Sequence, residues 1–501
     1  MKFNFITGNL TSRNDSLLLG LTEGPKMSPW AAGWAAPIKK AVEELLETKK
    51  FSGKLNETFL FTVNSQWIVI VGLGKQEEIS LEVVRQASAS GARRFLSAGI
   101  ESFSRGLVPV PDQTVAEAAQ AATEGTILGT YQYSELKSSS ADEKKKLKAV
   151  TFVLPTKADI SAAKVGVRRG EVIAQAVCWV RDMANRPSNR LTPSAMAKEA
   201  SQAGRRYGFK CRVLGPKEQK RFRMNAFLGV ARGSEEPSQF IIAEYKGKAA
   251  RNKKPLVWIG KGITFDSGGI CIKPSAKMED MKFDMCGGAA VLGAIRAVAA
   301  LKLPVHIIGL VPATENLPGG SAQKPGDVVE TCSGKTIEVI NTDAEGRLIL
   351  ADALSYAQRY KPEAIVDIAT LTGACIVALG SHCMALMGNE VRLNDLVRQA
   401  GSRAGERTWE LPLWPEYSEP IRSEVADVKN MGDGKAGTII GGAFLKEFVG
   451  KTPWVHLDIA GVAWTDAERG YIRKGGTGVG VRLLVELASR WRGLNGSGGR
   501  G

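Results

Sequence analysis

From about residue 190 onward, short β-branched runs alternate with segments of helical periodicity. The runs are Phe240 to Ile242, Leu256 to Ile259, Ile307 to Val311, Ile337 to Ile340, Ala364 to Ile368 and Val455 to Ile459. They carry few polar side chains, so neither face of such a strand can be left to water. The segments between them are long enough for crossover helices. The pattern predicts an α/β domain with a mostly parallel central sheet covered by helices. Ahead of it, Phe59 to Val63 and Trp67 to Val71 read as strands, Leu81 to Leu96 as a helix, and Ala149 to Leu154 as the last strand of a separate α/β unit. Residues 159 to 184 form one continuous helical pattern. It stops before Asn185-Arg186-Pro187, because the residue before a proline disfavours helix. The expected organisation is an N-terminal α/β domain over 1–158, a linker helix over 159–184, a larger α/β domain over 185–494, and a flexible Gly-rich tail over 495–501.

The 501 residues, 44% of them hydrophobic, suffice for two sizeable cores. The best apolar run, Ala289 to Pro312, is broken by Arg296, Lys302 and His306, and the N-terminus lacks a signal peptide's apolar region. A cytoplasmic protein with no membrane partner is expected. Seven cysteines stand singly with no C-x-x-C, which points to reduced thiols. The three histidines show no paired ligand spacing, so a metal site has to rest on carboxylates. His306 and His456 lie in strand-like runs and read as core histidines. The net charge of +16 reads either as a well-solvated basic surface or as a polyanion-binding one; no basic stripe is interleaved with aromatics.

The chemistry concentrates in a few loops. Asn341-Thr342-Asp343-Ala344-Glu345-Gly346-Arg347-Leu348 follows a short strand-like run and precedes a helical pattern, so two acids and an arginine sit on a strand-to-helix turn. In an open α/β sheet that turn lies at the carboxyl edge, where ligands bind. Two carboxylates so close repel unless something positive lies between them, and a divalent cation would serve. An N-cap Asp with an acidic first turn explains this octapeptide equally well. A second loop, Gly260 to Gly269, carries Lys261 and Asp266; Lys273 follows, and then Met281 to Asp284. Four carboxylates (Asp266, Asp284, Asp343, Glu345) can therefore converge at one sheet edge. That exceeds the need of one hard cation, and carboxylates bridge two metals well.

On these motifs the chain resembles the leucyl (cytosol) aminopeptidases. The resemblance extends through Asp367 to Ala374, Met431-Gly432, Gly441 to Phe444 and His456 to Gly461, and covers nearly everything after about residue 180. It implies a two-metal exopeptidase that prefers leucine and other apolar N-terminal residues of peptides with a free N-terminus. By carry-over, Lys261, Asp266, Asp284, Asp343 and Glu345 are metal ligands for two divalent ions, Mn²⁺ or Zn²⁺. Asp266 and Glu345 bridge both, Asp343 completes the more exchangeable site, and Lys261 and Asp284 complete the tighter one. Lys261 can ligate only as the neutral amine, which requires a lowered pKa. Lys273 is expected to stabilise the oxyanion free of carboxylate partners, and Arg347 to hold a bicarbonate acting as general base. Met281, Thr370, Leu371 and Gly373 resemble the pocket for the first side chain, although Met281 reads almost as well as core. The resemblance also implies a homohexamer. Some members of the family bind DNA, which with the positive charge leaves a weak, mostly non-specific DNA-binding role open. The family's N-terminal domain is similar to macro domains, which implies a nucleotide or ADP-ribose site; Gly72-Leu73-Gly74 is the one motif that speaks for it, and it reads better as a tight turn.

Overall fold

The computed structural model describes residues 1–13, 15–138 and 146–494. The expected flexible tail over 495–501, and most of the Ser- and Lys-rich loop after Ser138, lie outside the described residues. The chain divides into two compact units. One comprises Met1–Cys178 with Ala467–Lys474, and the other Trp179–Asp466 with Gly475–Gly501. A single helix, Lys157–Asn185, runs from the first unit into the second, and the division falls inside it, after Cys178.

The first unit is built on six strands: β1 (Lys2–Thr7), β2 (Leu17–Leu21), β3 (Thr58–Val63), β4 (Gln66–Gly72), β5 (Ser102–Arg105) and β6 (Ala149–Leu154). Their order is β1-β6-β5-β2-β4-β3, with only β3 antiparallel to its neighbour. Successive strand side chains point to opposite faces. Leu18, Val69 and Val71 accordingly enter one apolar cluster, while Leu17, Leu19, Ile68 and Ile70 enter another. That two-sided burial is why β2 and β4 read as unbroken apolar runs. Gly72-Leu73-Gly74 is closed to ligands: a Cβ on Gly72 would stand 1.9 Å from the Lys54 carbonyl oxygen, so the glycine serves backbone packing.

Strands of the second unit are β7 (Lys210–Leu214), β8 (Gln239–Lys246), β9 (Leu256–Gly260), β10 (Gly262–Asp266), β11 (His306–Asn316), β12 (Val328–Glu330), β13 (Thr336–Glu338), β14 (Ala364–Ala369), β15 (Met384–Gly388), β16 (Thr408–Glu410), β17 (Val428–Lys429) and β18 (Trp454–Asp458). Nine form one sheet in the order β16-β15-β18-β14-β9-β11-β8-β7, with β10 beside β11. The central four, β18-β14-β9-β11, are mutually parallel, while β8 and β15 join antiparallel at the flanks. Helix Glu345–Ala357 packs on the face that carries Val257, Ile259, Ile308, Leu310 and Ile365. Each fully buried Leu or Ile there contributes roughly 1.5–3 kcal/mol. Helix Cys286–Ala300 covers the opposite face; a Cβ on Gly309 would meet Ile295 at 2.3 Å. The segment Met278–Ala300 is long and apolar enough to cross a membrane, but 89% of its apolar window is buried inside the fold. It begins before the Ala289 to Pro312 run marked from sequence and serves as core.

One expected strand is misplaced. Thr336 to Ile340 was read as part of the large sheet, yet β13 pairs with β12 and β17 in a separate three-stranded sheet. The run is as apolar as a strand of either sheet must be, so its composition does not distinguish them.

Candidate active site

The parallel strands of the second unit deliver the chemistry at their carboxyl ends, as expected for an α/β sheet. Lys261 follows β9, Asp266 ends β10, Asn316 ends β11, Thr370 follows β14 and Asp458 ends β18. Asp284 comes from the 3-10 helix Met278–Met285, and Glu345 opens the helix Glu345–Ala357. Asp343 precedes that helix, whereas Glu345 and Arg347 stand on its first turn. The acids meet regardless: ligand oxygens of Asp266, Asp343 and Glu345 all lie within 4.8 Å of one another.

Lys261 is buried among them. Its ammonium reaches Asp284 Oδ2 at 2.8 Å, Glu345 Oε1 at 2.7 Å and the Thr370 carbonyl at 2.9 Å, which accounts for all three of its protons. Gly346 permits this approach, since a Cβ there would lie 2.6 Å from the Lys261 nitrogen. Burial opposes a charge on Lys261, but Asp284, Glu345 and Asp266 outweigh it and hold the ammonium well above the usual lysine range. The protein's own charges thus do not supply the lowered pKa that ligation by this residue requires. Lys273 ion-pairs with Asp266 at 2.9 Å and Asp343 at 2.5 Å, and Asp266 and Glu345 raise its pKa against burial. The expectation that it stands clear of carboxylates is corrected, because the turn through Gly268 and Gly269 (φ +90° and +67°) folds it back onto them.

The acids show the reverse strain. Burial, then the neighbouring carboxylates, push Asp284, Asp343 and Glu345 upward. Four carboxylates face two ammoniums, leaving two negative charges in excess, and Glu345 Oε2 is buried with no hydrogen-bond partner. A carboxylate-rich donor set with an orphaned acceptor and excess negative charge fits divalent cations. Arg347 is different. It is half-buried, Nη1 donates to the Asn430 carbonyl at 2.8 Å, and Nε is shielded from solvent with no partner. Burial lowers its pKa to about 10, with Glu345 and Asp458 opposing.

The pocket residues fall around this cluster. Thr370 Oγ1 donates to Asp284 Oδ1 at 2.6 Å, and the Leu371 amide to Asp458 Oδ1 at 3.1 Å. A side chain on Gly373 would meet nothing within 4 Å, so open space adjoins it. Met281 is half-buried, three residues before Asp284, a spacing that eclipses the two in a 3-10 helix. His456 is buried as read, Nδ1 lying 2.5 Å from Asp367, but its Nε2 has no hydrogen-bond partner.

Three positioning residues escaped the sequence reading. Asn316 donates to Asp266 at 2.7 Å and to the Thr342 carbonyl at 3.0 Å, tying the two acidic loops together. Asn430 accepts from the Ile340 and Asn341 amides and donates to the Asn341 carbonyl at 2.7 Å. Asp458 accepts from Leu371, Thr372 and Ala460.

Residues 178–485 match the model of the cytosol aminopeptidase family, catalytic domain, and residues 18–140 match the N-terminal domain of the same family. The chain belongs to the cytosol aminopeptidase family. A probable cytosol aminopeptidase of Geobacter sulfurreducens is 47% identical over 90% of this chain and 91% of the relative, and one of Roseiflexus castenholzii is 42% identical over 96% and 97%. Among solved structures, the bottromycin maturation enzyme BotP in complex with Mn has a TM-score of 0.84 and 32% identity, covering 95% of this chain and 99% of that one. As a family member the protein is a metal-dependent aminopeptidase, a hydrolase whose cofactor is a divalent cation.

Proposed function

We propose that this aminopeptidase releases leucine and other apolar residues from the free N-termini of peptides, in cytoplasmic peptide turnover, with two divalent ions per chain and as a homohexamer. The observation that carries the metal count is the excess of carboxylate over ammonium, with Glu345 Oε2 buried and unpaired. Lys261, Asp266, Asp284, Asp343 and Glu345 would hold the ions. The ions, Mn²⁺ or Zn²⁺, would supply a water of lowered pKa as nucleophile and a Lewis acid for the scissile carbonyl.

The chain's own groups do the rest. Lys261 would serve as a ligand only as the neutral amine, its proton passing to solvent as the ion binds, and Thr370 holds Asp284 in place through the 2.6 Å bond. Lys273, whose ammonium lies against Asp266 and Asp343, would be the donor to the oxyanion once metal ions answer those carboxylates. Arg347 keeps an unpartnered Nε and, among the described residues, no carboxylate within ion-pair distance, which suits a small anion such as bicarbonate acting as general base. The space beside Gly373, with Met281, Thr370 and Leu371, receives the first side chain.

Turnover of leucine p-nitroanilide tests this reading beside the lysine and glutamate analogues, after chelation and after adding back Mn²⁺ or Zn²⁺. Elemental analysis of the active protein gives the ion count. We expect two ions per chain and preference for leucine; an active preparation with one ion, or equal rates on charged residues, overturns it.

A further inference from the structure

The first unit holds a cavity of about 700 Å³ that the peptidase chemistry does not use. It opens at the carboxyl ends of β1, β2, β5 and β6, the edge where α/β sheets present ligands. Its walls are mostly apolar, with Trp30, Trp34, Leu19, Leu107 and Val108 among them, which is the composition of a small-molecule site.

Its polar groups decide what such a molecule must be. No lysine or arginine lines the cavity among the described residues. Two helix N-termini meet at it, those of Val115–Gly129 and Lys157–Asn185, but both are closed by their own side chains. Thr114 and Glu117 cap the first, and Thr156 with Asp159 the second, so each first turn already carries a carboxylate. An anion would meet negative charge there instead of free amides. Two side-chain donors in the wall are spent internally: Trp30 Nε1 on the Gly20 carbonyl at 2.9 Å, and Asn9 Nδ2 on the Gly33 carbonyl at 2.7 Å. One buried acceptor in the wall is left unanswered. Gln113 Oε1 is buried with no partner, and the Asp159 carboxylate stands in the same wall. A buried acceptor left unsatisfied costs about 1–3 kcal/mol, so a ligand that donates to it gains on binding.

We propose that this cavity is a second ligand site, for a small apolar amine whose hydrocarbon part lies against Trp30, Trp34 and Leu107 and whose ammonium donates to Gln113 and faces Asp159. The lining argues against a phosphate-bearing ligand such as a nucleotide. The site stands independently of the peptidase reading.

Isothermal titration of the full-length, metal-loaded protein with isopentylamine tests it, beside isopentanol and isovalerate, which share the hydrocarbon but are neutral and anionic. We expect the amine to bind best and the carboxylate worst. Leu107→Trp, which fills the cavity, should weaken amine binding at least tenfold while leaving leucine p-nitroanilide turnover at the wild-type rate, which also shows that the variant folds. Gln113→Leu should weaken it several-fold, and Asp159→Asn should narrow the margin of amine over alcohol. The proposal is overturned if isovalerate binds as tightly as the amine, if Leu107→Trp leaves amine binding intact, or if no amine binding is detected at millimolar concentration.

Discussion

Two of the places where the molecule buries charge are built differently. Between helices Leu81–Ser97 and Val115–Gly129 of the first unit, Arg85 pairs with Glu124 at 2.7 Å and with Glu82 at 3.3 Å, and Gln120 donates to the other oxygen of Glu124 at 2.7 Å. Both oxygens of that buried carboxylate are answered. At the carboxyl edge of the second unit, carboxylates outnumber ammoniums, three acids are pushed upward by burial and by each other, and Glu345 Oε2 goes unanswered. A fold cannot favour such crowding for its own stability. The first arrangement fastens two helices; the second is completed only by something that is not protein.

The largest effect expected from this contrast is loss of activity on metal removal. Chelation, or Glu345→Gln, should abolish peptide hydrolysis, and only the chelated wild type should recover with Mn²⁺ or Zn²⁺. If Glu345→Gln still binds two ions and turns over normally, the unanswered oxygen is not a ligand.

Next in size is Lys273→Ala. Losing one oxyanion donor costs about a hundred- to a thousand-fold in turnover, roughly 3–4 kcal/mol. Metal content should stay at the wild-type value, because Asp266 and Asp343 lose only an ammonium that the ions replace. A variant whose lost turnover tracks lost metal would make Lys273 a strut of the site.

The structural pair should respond the opposite way. Glu124→Ala removes Arg85's 2.7 Å partner, and breaking a buried pair typically costs about 3–5 kcal/mol. Urea denaturation followed by helix signal should show the loss, while metal content and turnover per folded molecule stay level. A turnover defect in folded protein would erase the distinction between the two regions.

How far this contrast was readable beforehand depends on the residue. Runs such as β9, β14 and β18 announce a sheet buried on both faces because every residue in them is buried. The four acids and two lysines were legible because their types are unusual in loops between such runs. Asn316 and Asn430 were not. Each acquires its role through partners distant in sequence, Asp266 for one and Asn341 for the other, and a lone asparagine at a strand end looks like any other. Nor could the sequence show that Lys273 turns back onto Asp266 and Asp343, or that β13 leaves the main sheet. Those outcomes depend on loop geometry, which leaves little trace in composition.

Asp352 lies between the two regimes, since it is buried with no cationic partner in an ion pair but accepts the amides of Phe227 and Cys332 at 2.8 and 2.7 Å. Burial lifts its pKa from 3.8 to about 7, with those amides opposing. A folded-state pKa raised above the unfolded one means that the stability it contributes is fully present below the unfolded value and is lost as pH rises through the folded value. Between roughly pH 5 and pH 7.5 the wild type should therefore lose about 2–3 kcal/mol relative to Asp352→Asn. The slope is the measurement, from urea melts across that range, because the asparagine also alters one hydrogen bond at every pH. Parallel slopes would place Asp352 with the satisfied carboxylates such as Glu124.

Arg347 supplies the finest distinction, because it is a half-buried cation that has neither regime's usual partner. Its Nη1 is held by the Asn430 carbonyl, its Nε is unpaired, and burial, opposed by Glu345 and Asp458, brings its pKa down to about 10. It stays charged at neutral pH, so a half-buried positive charge stands on the same helical turn as Glu345 with, among the described residues, no carboxylate in ion-pair distance. If that charge is there for a bound bicarbonate, Arg347→Ala should lose roughly tenfold in turnover, about 1.4 kcal/mol, since water or a loosely held anion replaces part of the base. Its loss should be smaller than that of Lys273→Ala. Added bicarbonate should raise the wild-type rate and leave the variant's rate nearly flat, with metal content equal in both. A wild type indifferent to bicarbonate, or a variant that responds as strongly, would return Arg347 to the structural class with Arg85 and leave the general base unassigned.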